Sequence, residues 1–157
     1  MFAVGDLVCY PMHGVGRVET IEEHTVLGET GQYYLLRFLG GRMTAMVPVS
    51  TADRVGLREL ADAETCESVI RLLTDDACLP EIDNWNQRYR DNLDKLRAGK
   101  VLDVANVVKS LLKRDRERGL SAGERKMFLT ARQVLIGELS ASTGRPESEL
   151  LWLVGGE

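Results

Sequence analysis

The sequence predicts an α+β fold in which a small β-rich part precedes an all-helical part. Up to residue 49, short runs rich in β-branched and aromatic residues alternate with turns that contain glycine or proline. From Thr51 onward the apolar residues recur at helical spacing instead. Strands and helices that are segregated along a chain indicate either one α+β domain or two domains. We favour two domains, residues 1–58 and 59–157.

The β-rich part contains four or five short strands. The predicted strands are Asp6–Tyr10, Arg17–Glu22, Tyr33–Leu39 and Arg42–Val49. Residues 27–32 form a turn bracketed by glycines, and Gly40-Gly41 predicts a two-residue hairpin turn. These strands are too few for a sandwich, so they predict a small, strongly bent sheet or half-open barrel of SH3 or Tudor size.

The helical part divides at recognisable caps. Ala63–Leu73 is the first predicted helix, and 75–80 is a loop. The third helix starts near Val101 and closes at Gly119. Ser121 and Glu124 form an S-x-x-E capping box that opens the fourth helix.

The second helix is the most informative of the set. Asp83 or Asn84 caps it, and Gly99 ends it. Its apolar stripe consists of Trp85, Tyr89, Leu93 (or Asn92) and Leu96. A final short helix is predicted over Glu147–Val154, where the second tryptophan, Trp152, is expected to pack among leucines.

The basic residues are concentrated in one stretch of an acidic chain. Residues 79–132 hold 13 Lys/Arg against 8 Asp/Glu, although the whole chain has a net charge of −4. Such a distribution favours a polyanionic partner for this stretch. The alternative, which charge alone leaves open, is that these residues form an ordinary solvated helix face.

The sequence lacks the motifs that would indicate an enzyme or a bound cofactor. It contains neither a GxxxxGK[ST] phosphate loop nor a GxSxG nucleophile elbow. Three cysteines at unrelated spacings and only two histidines do not match a zinc site, so free thiols in a reducing cytoplasm are expected. No apolar run is long enough to cross a membrane. We therefore expect no catalysis, no cofactor and no metal.

Four long strings carry a family resemblance. They are GDLVCYPMHGVGRVETIE, RMTAMVPVSTADRVGLREL, NWNQRYRDNLDKLRAG and RERGLSAGERKM. Together, over residues 2 to about 140, they resemble the CarD/CdnL-like bacterial transcription regulators. The resemblance implies a Tudor-like domain that docks on the β1 lobe of the RNA polymerase β subunit. It also implies a helical domain that contacts promoter DNA at the upstream edge of the melted bubble, largely without reading sequence. Such a protein stabilises open complexes, and a cytoplasmic monomer is expected.

The resemblance also implies the DNA-contacting residues. Trp85 corresponds to a tryptophan that wedges into the minor groove and slows bubble collapse, a known use of apolar side chains. The basic neighbours would be Arg88, Arg90, Arg125 and Lys126, which are expected on one surface that contacts phosphates. From the residues alone, Trp85 at the head of an apolar stripe is more typical of a core anchor, and it is the resemblance that favours the wedge.

The polymerase contacts implied by the resemblance lie in the β-rich part. They are His24, Leu36, Met46, Val47 and Pro48. His24 and Met46 stand where some members of the family have arginine, so a more apolar docking surface is expected. Pro48 favours an edge strand, and an edge strand can be extended by a strand of a partner. The alternative placement of Met46, facing the core of the sheet, is left open by its sequence position.

A second function class remains possible on the sequence alone. The chain could be a nucleic-acid-binding module that acts without polymerase and binds RNA through its β-rich part. Few aromatic residues fall on the outer positions of the strands, which argues against RNA recognition by base stacking.

Overall fold

The computed structural model describes residues 1–75 and 84–155. The strands are β1 (Leu7–Tyr10), β2 (Gly14–Val26), β3 (Glu29–Phe38), β4 (Thr44–Pro48) and β5 (Arg58–Glu59). The helices are α1 (Ala63–Thr74), α2 (Trp85–Ala98), α3 (Val101–Arg118), α4 (Ala122–Thr143) and α5 (Glu147–Leu150). The strands form one antiparallel sheet in the order β4-β3-β2-β1-β5. The predicted α+β class, with the sheet before the helices, is confirmed.

The hairpin turns differ from the predicted ones. Strands β2 and β3 are joined by Leu27-Gly28 alone, with φ values of +52° and +81°. Positive φ at both central residues is typical of a type I′ turn, whose twist suits a tight hairpin. The prediction of a two-residue turn at Gly40-Gly41 is wrong, because the Phe38 N–H donates to the Met43 carbonyl and closes a four-residue loop.

One face of the sheet carries its own small core. The buried residues of this core are Val8, Val18, Tyr34, Leu36, Val47, Ala52 and Leu57. Within β3, Tyr34 and Leu36 point inward and alternate with residues that point outward, as the period of two requires. This alternation decides which side chains of β3 and β4 a partner can reach.

The predicted helix caps are present in the described residues. Asn84 accepts a hydrogen bond from the Gln87 N–H and Ser121 accepts one from the Glu124 N–H. Gly99 ends α2 in the left-handed conformation, at φ +75°. Asp83, the other candidate cap of α2, lies outside the described residues, as do Cys78 and nearly all of the predicted loop 75–80.

Helices α1 to α4 pack around a second, larger core. Its buried members include Val69, Leu96, Val104, Val108, Leu111, Phe128, Leu135 and Leu139. Leu150, Leu153 and Val154 close this core at the end of the chain. The expectation that Trp152 packs is wrong, since 65% of it is exposed. Residues 151–154 form a 3-10 turn, whose period of three turns 150 and 153 inward and leaves 152 outside.

The sheet and the helices contact each other through a polar junction. Glu138 of α4 pairs with Arg58 of β5, and both oxygens of its carboxylate are engaged. The predicted domain boundary at 58/59 falls inside β5 and stays a prediction. Within the described part of the chain, no helix is long and apolar enough to cross a membrane.

Candidate functional site

Trp85 is held at the rim of the helical core, with its ring accessible. It is the first residue of α2 and 45% of it is exposed. Its ring stacks on Tyr89 at a centroid distance of 5.3 Å, and its Nε1–H donates to Ser121 Oγ at 3.4 Å. The core-anchor alternative is therefore contradicted, because almost half of Trp85 is exposed although it belongs to the apolar stripe of α2.

The prediction that Arg88 lies on the outer surface is wrong. Only 6% of Arg88 is exposed, and its Nε donates to Glu124 Oε2 at 3.1 Å. The reason is helical geometry: Arg88, Asn92 and Leu96 recur every four residues and share the buried face of α2. The signal that could have revealed this was the same spacing of four, together with an acidic partner in the capping box of α4.

Glu124 is the carboxylate around which this corner is built. Besides Arg88, it has the Arg114 guanidinium at 3.9 Å and the Ser121 hydroxyl at 3.3 Å. Burial alone would raise the pKa of Glu124. The hydrogen bond and charge of Arg88, the charge of Arg114 and the hydrogen bond of Ser121 outweigh burial and hold the pKa below its ordinary value. Glu124 is therefore ionised at neutral pH and neutralises the buried cation of Arg88.

Three of the predicted basic residues are exposed, but they do not share one helix face. Arg125 and Lys126 lie within about 8 Å along α4 from Ser121, the residue that binds the Trp85 indole. The Arg125 guanidinium donates to Asp115 at 3.2 Å. Arg90 lies about 160° around α2 from the buried face, so it points away from the helical core. The structure thus brings Trp85 to the cap of α4, near the turns that carry Arg125 and Lys126, and leaves Arg90 on a separate side. Lys126 itself lies about 160° around α4 from the buried Glu124.

Met46 lies on the outer face of an edge strand. It is 45% exposed, and β4 is at the end of the sheet, so the alternative that Met46 faces the core is contradicted. Antiparallel pairs alternate between hydrogen-bonded and non-bonded. The Phe38–Met43 bond places Met46 and Leu35 in a non-bonded pair. The backbone N–H and C=O of Met46 consequently point to the open edge, where a partner strand could bind them.

Leu36 and Val47 are not available to a partner, and the prediction that they form the docking surface is wrong for their side chains. Leu36 is fully buried and Val47 is 2% exposed, because both point into the sheet core. The outward neighbour of Met46 is Leu35. We define the docking face as Tyr33, Leu35, Met46 and Pro48, which are two cross-strand pairs on the outer side of β3 and β4.

His24 lies on the same side of the sheet, at one margin of the docking face. Its Nε2 is 2.8 Å from Glu22 Oε2, and its ring meets the Tyr33 ring edge-on at 5.8 Å. Hydrogen bonds from His24 and then Thr20 hold the pKa of Glu22 below its ordinary value. His24 and Glu22 thus form a polar margin next to the apolar residues of the docking face.

The tip of the β2–β3 hairpin is an exposed apolar feature that the sequence analysis did not single out. Leu27 is fully exposed, Val26 next to it is 47% exposed, and Leu27 has a positive φ. A leucine in the left-handed region is uncommon, since Asn, Asp and Gly are the residues favoured there. The signal in the sequence was a Leu-Gly pair where a hairpin turn normally carries Asn-Gly or Asp-Gly.

Two family models match the chain and together span most of its length. The CarD-like/TRCF RID domain matches residues 2–61, and CarD, C-terminal domain, matches residues 68–154. The two matches follow the order of the sheet and the helices.

Individual proteins are similar to the chain as well. The "Putative transcription factor YdeB" of Bacillus subtilis (strain 168) is 36% identical over 153 residues, which are 96% of this chain and 97% of that protein. Among solved structures, the 72-residue N-terminal domain of Myxococcus xanthus CarD is 34% identical. That alignment has a TM-score of 0.34 and covers 38% of this chain and 79% of the other. From the family models and the full-length relative, the chain belongs to the CarD-like family of transcription regulators.

Proposed function

We propose that this protein binds the RNA polymerase β subunit on its β1 lobe and stabilises the promoter open complex. The docking face and the open edge of β4 bind the β subunit, and Trp85 enters the minor groove at the upstream edge of the bubble. The protein acts in the cytoplasm as a monomer, without catalysis and without a cofactor.

The observation that carries this proposal is the presentation of Trp85. The indole is 45% exposed, and an exposed side chain can usually adopt several rotamers. Here Tyr89 stacks on one face of the ring and Ser121 accepts a hydrogen bond from its N–H, and these two contacts hold one orientation. A wedge must be held in place before it meets DNA, because ordering a free side chain at the interface costs affinity. An aromatic ring that is both exposed and fixed suits insertion at an unstacked base step.

The polymerase part of the proposal rests on the docking face and on the family match of residues 2–61 to the CarD-like/TRCF RID domain. The side chains of Met46 and Leu35 offer a flexible apolar surface. The open backbone of Met46 allows strand addition, a mode of recognition in which main-chain hydrogen bonds supply affinity.

The DNA part needs only a few cations. Arg125 and Lys126 lie in the first turns of α4, whose cap Ser121 binds the Trp85 indole, and they would contact phosphates near the wedge, while Arg90 would reach a separate stretch of backbone. Arg88 serves instead to hold α2 against Glu124. No recognition helix with base-reading side chains is required, so binding is largely independent of sequence.

We expect Trp85→Ala to shorten the lifetime of the open complex while leaving the protein folded and bound to polymerase. The ring contributes one stacking contact and one hydrogen bond, so the free energy of unfolding should fall by about 1 kcal/mol or less. The lifetime should drop to that measured without the protein, because nothing then occupies the unstacked step. The measurement is the dissociation rate of open complexes on one defined promoter after challenge with competitor DNA.

The chain supplies a matched control in its second tryptophan. Trp152→Ala removes an equally large and more exposed ring that the proposal does not assign to DNA, and the lifetime should stay at the wild-type value. If Trp85→Ala leaves the lifetime unchanged, or if wild-type protein does not lengthen it, the proposed wedge is wrong.

Binding to free duplex DNA should be weak and strongly dependent on salt. The proposal assigns phosphate contacts to three exposed cations, Arg90, Arg125 and Lys126, on a chain with a net charge of −4. Three contacts predict that log K falls with log salt at a slope of about −3. Fluorescence anisotropy with a labelled duplex at several salt concentrations gives this slope. A tight, sequence-specific complex at physiological salt without polymerase would instead favour a polymerase-independent DNA-binding module.

A further inference from the structure

A buried carboxylate joins the polymerase-docking part of the molecule to the DNA-contacting part. Glu138 of α4 is only 1% exposed, and the Arg58 guanidinium donates to both of its oxygens, at 2.6 and 2.8 Å. The Ala61 N–H donates to Oε2 at 2.8 Å, and the Cys9 thiol lies 3.7 Å from Oε1. The Glu138 side chain thus contacts β1, β5 and the segment that leads to α1.

Arg58 extends this junction to the helix that carries Trp85. Its Nε donates to the Gly99 carbonyl at 2.9 Å, at the C-terminal end of α2. Pro11, in the loop after β1, packs against the same residue so closely that a Cβ on Gly99 would lie 2.5 Å from Pro11 Cγ. The end of α2 is therefore fixed to the sheet by a hydrogen bond and by a close contact that only glycine allows.

A stabilising role does not by itself explain the ionic character of this junction. A buried ion pair gives weak stabilisation at best, because desolvation offsets the attraction of the charges, and apolar replacements are often as stable. A bidentate Arg–carboxylate pair does impose one geometry, which an apolar contact of the same size would not. The main effect of the Arg58–Glu138 pair is therefore to define how the sheet and the helices are oriented relative to each other.

The position of Trp85 depends on that arrangement. Helix α2 has 14 residues, so Trp85 lies about 21 Å along the axis from the anchored end. A tilt of about 10° at Gly99 would move the indole by about 4 Å, more than the spacing between adjacent base pairs. A protein docked through β4 can hold its wedge at the bubble edge only if the orientation of α2 relative to the sheet is fixed.

We propose that Glu138, through Arg58, is a positioning residue that sets the orientation of α2 relative to the sheet and so places Trp85 on the DNA. This inference rests on the proposed function. Glu138 touches neither polymerase nor DNA in this role, and its effect appears only when both ends of the protein are engaged.

The test is the full-length double variant Arg58→Met/Glu138→Gln. It removes both charges, so no buried charge is left unpaired, and the glutamine oxygen can still accept the Ala61 N–H. Three quantities are measured: binding to the polymerase β subunit, the lifetime of the open complex, and the orientation of α2 relative to the sheet from amide residual dipolar couplings. We expect binding to the β subunit to be unchanged. The couplings should no longer fit the single orientation of α2 found in the wild type, and most of the increase in open-complex lifetime should be lost. Glu147→Gln, an exposed carboxylate on α5, is the matched control and should behave as wild type.

The outcomes separate this inference from the function on which it rests. If wild-type protein does not lengthen the lifetime, the proposed function is wrong and the positioning role falls with it. If wild type does lengthen it and the double variant does so equally, only the positioning role is overturned. The role is also overturned if the lifetime falls while the couplings still fit the wild-type orientation. Should the double variant unfold, the couplings and lifetime of Arg58→Lys decide: it keeps the charge but loses the two-pronged geometry, and wild-type values would overturn the role.

Discussion

Glu124→Gln is expected to lower the free energy of unfolding by about 3–5 kcal/mol, the cost of leaving a buried cation without its counter-charge. The side chain of Glu124 is 3% exposed, and it accepts hydrogen bonds from Arg88 while facing Arg114. The amide keeps the shape of the side chain but not its charge, so the loss is electrostatic. Urea denaturation followed by circular dichroism measures the change.

The same substitution should flatten the acid limb of the stability profile. The pKa of folded Glu124 is below its ordinary value of 4.5, so its contribution is fully present above about pH 4.5 and is lost as pH falls through the folded pKa. The wild-type protein should therefore lose more stability than Glu124→Gln as the solution is acidified. Glu117→Gln, an exposed change on α3, is the control and should stay within about 0.5 kcal/mol of wild type. A loss below about 1 kcal/mol for Glu124→Gln would mean that Arg88 gains access to water when its partner is neutral.

Met46→Asp is expected to abolish binding to the polymerase β subunit while the helical part stays folded. Docking on β4 would bury the new carboxylate without a partner, at a cost of several kcal/mol in a small interface. Pro48→Arg should act in the same way on the other pair of the docking face. Pull-down of each full-length variant with the β subunit measures binding, and circular dichroism checks the fold.

A second exposed apolar residue provides a control for the effect of placing a charge on the surface. Leu102, on α3, is 44% exposed, almost the same as Met46, and Leu102→Asp should leave polymerase binding intact. If Met46→Asp and Pro48→Arg both bind the β subunit normally, the docking face is wrongly assigned.

Local signals were sufficient for the order of the elements and for most of their ends. Asn84, Ser121 and Gly99 were identified as caps because capping depends on neighbouring residues along the chain. The outward position of Met46 could not be decided in the same way. The run YYLL offers apolar residues on both faces of β3, so the alternation alone does not say whether Leu35 or Leu36 points outward. The pairing of β3 with its neighbours over the small core decides it.

The same distinction between local and tertiary information applies to the candidate site. The sequence was enough to place Trp85 at the start of a capped helix and to locate the basic stretch, since both are local patterns. The spacing of four was the only local signal for the burial of Arg88, because its partner Glu124 lies 36 residues away and comes close only when α2 packs on α4. The sequence could not show that Trp85 is exposed, because a core residue and a rim residue occupy the same stripe of α2. That difference depends on where the neighbouring helix begins. Because α4 begins at its cap, Ser121, the indole that contacts this cap lies at the edge of the core rather than inside it.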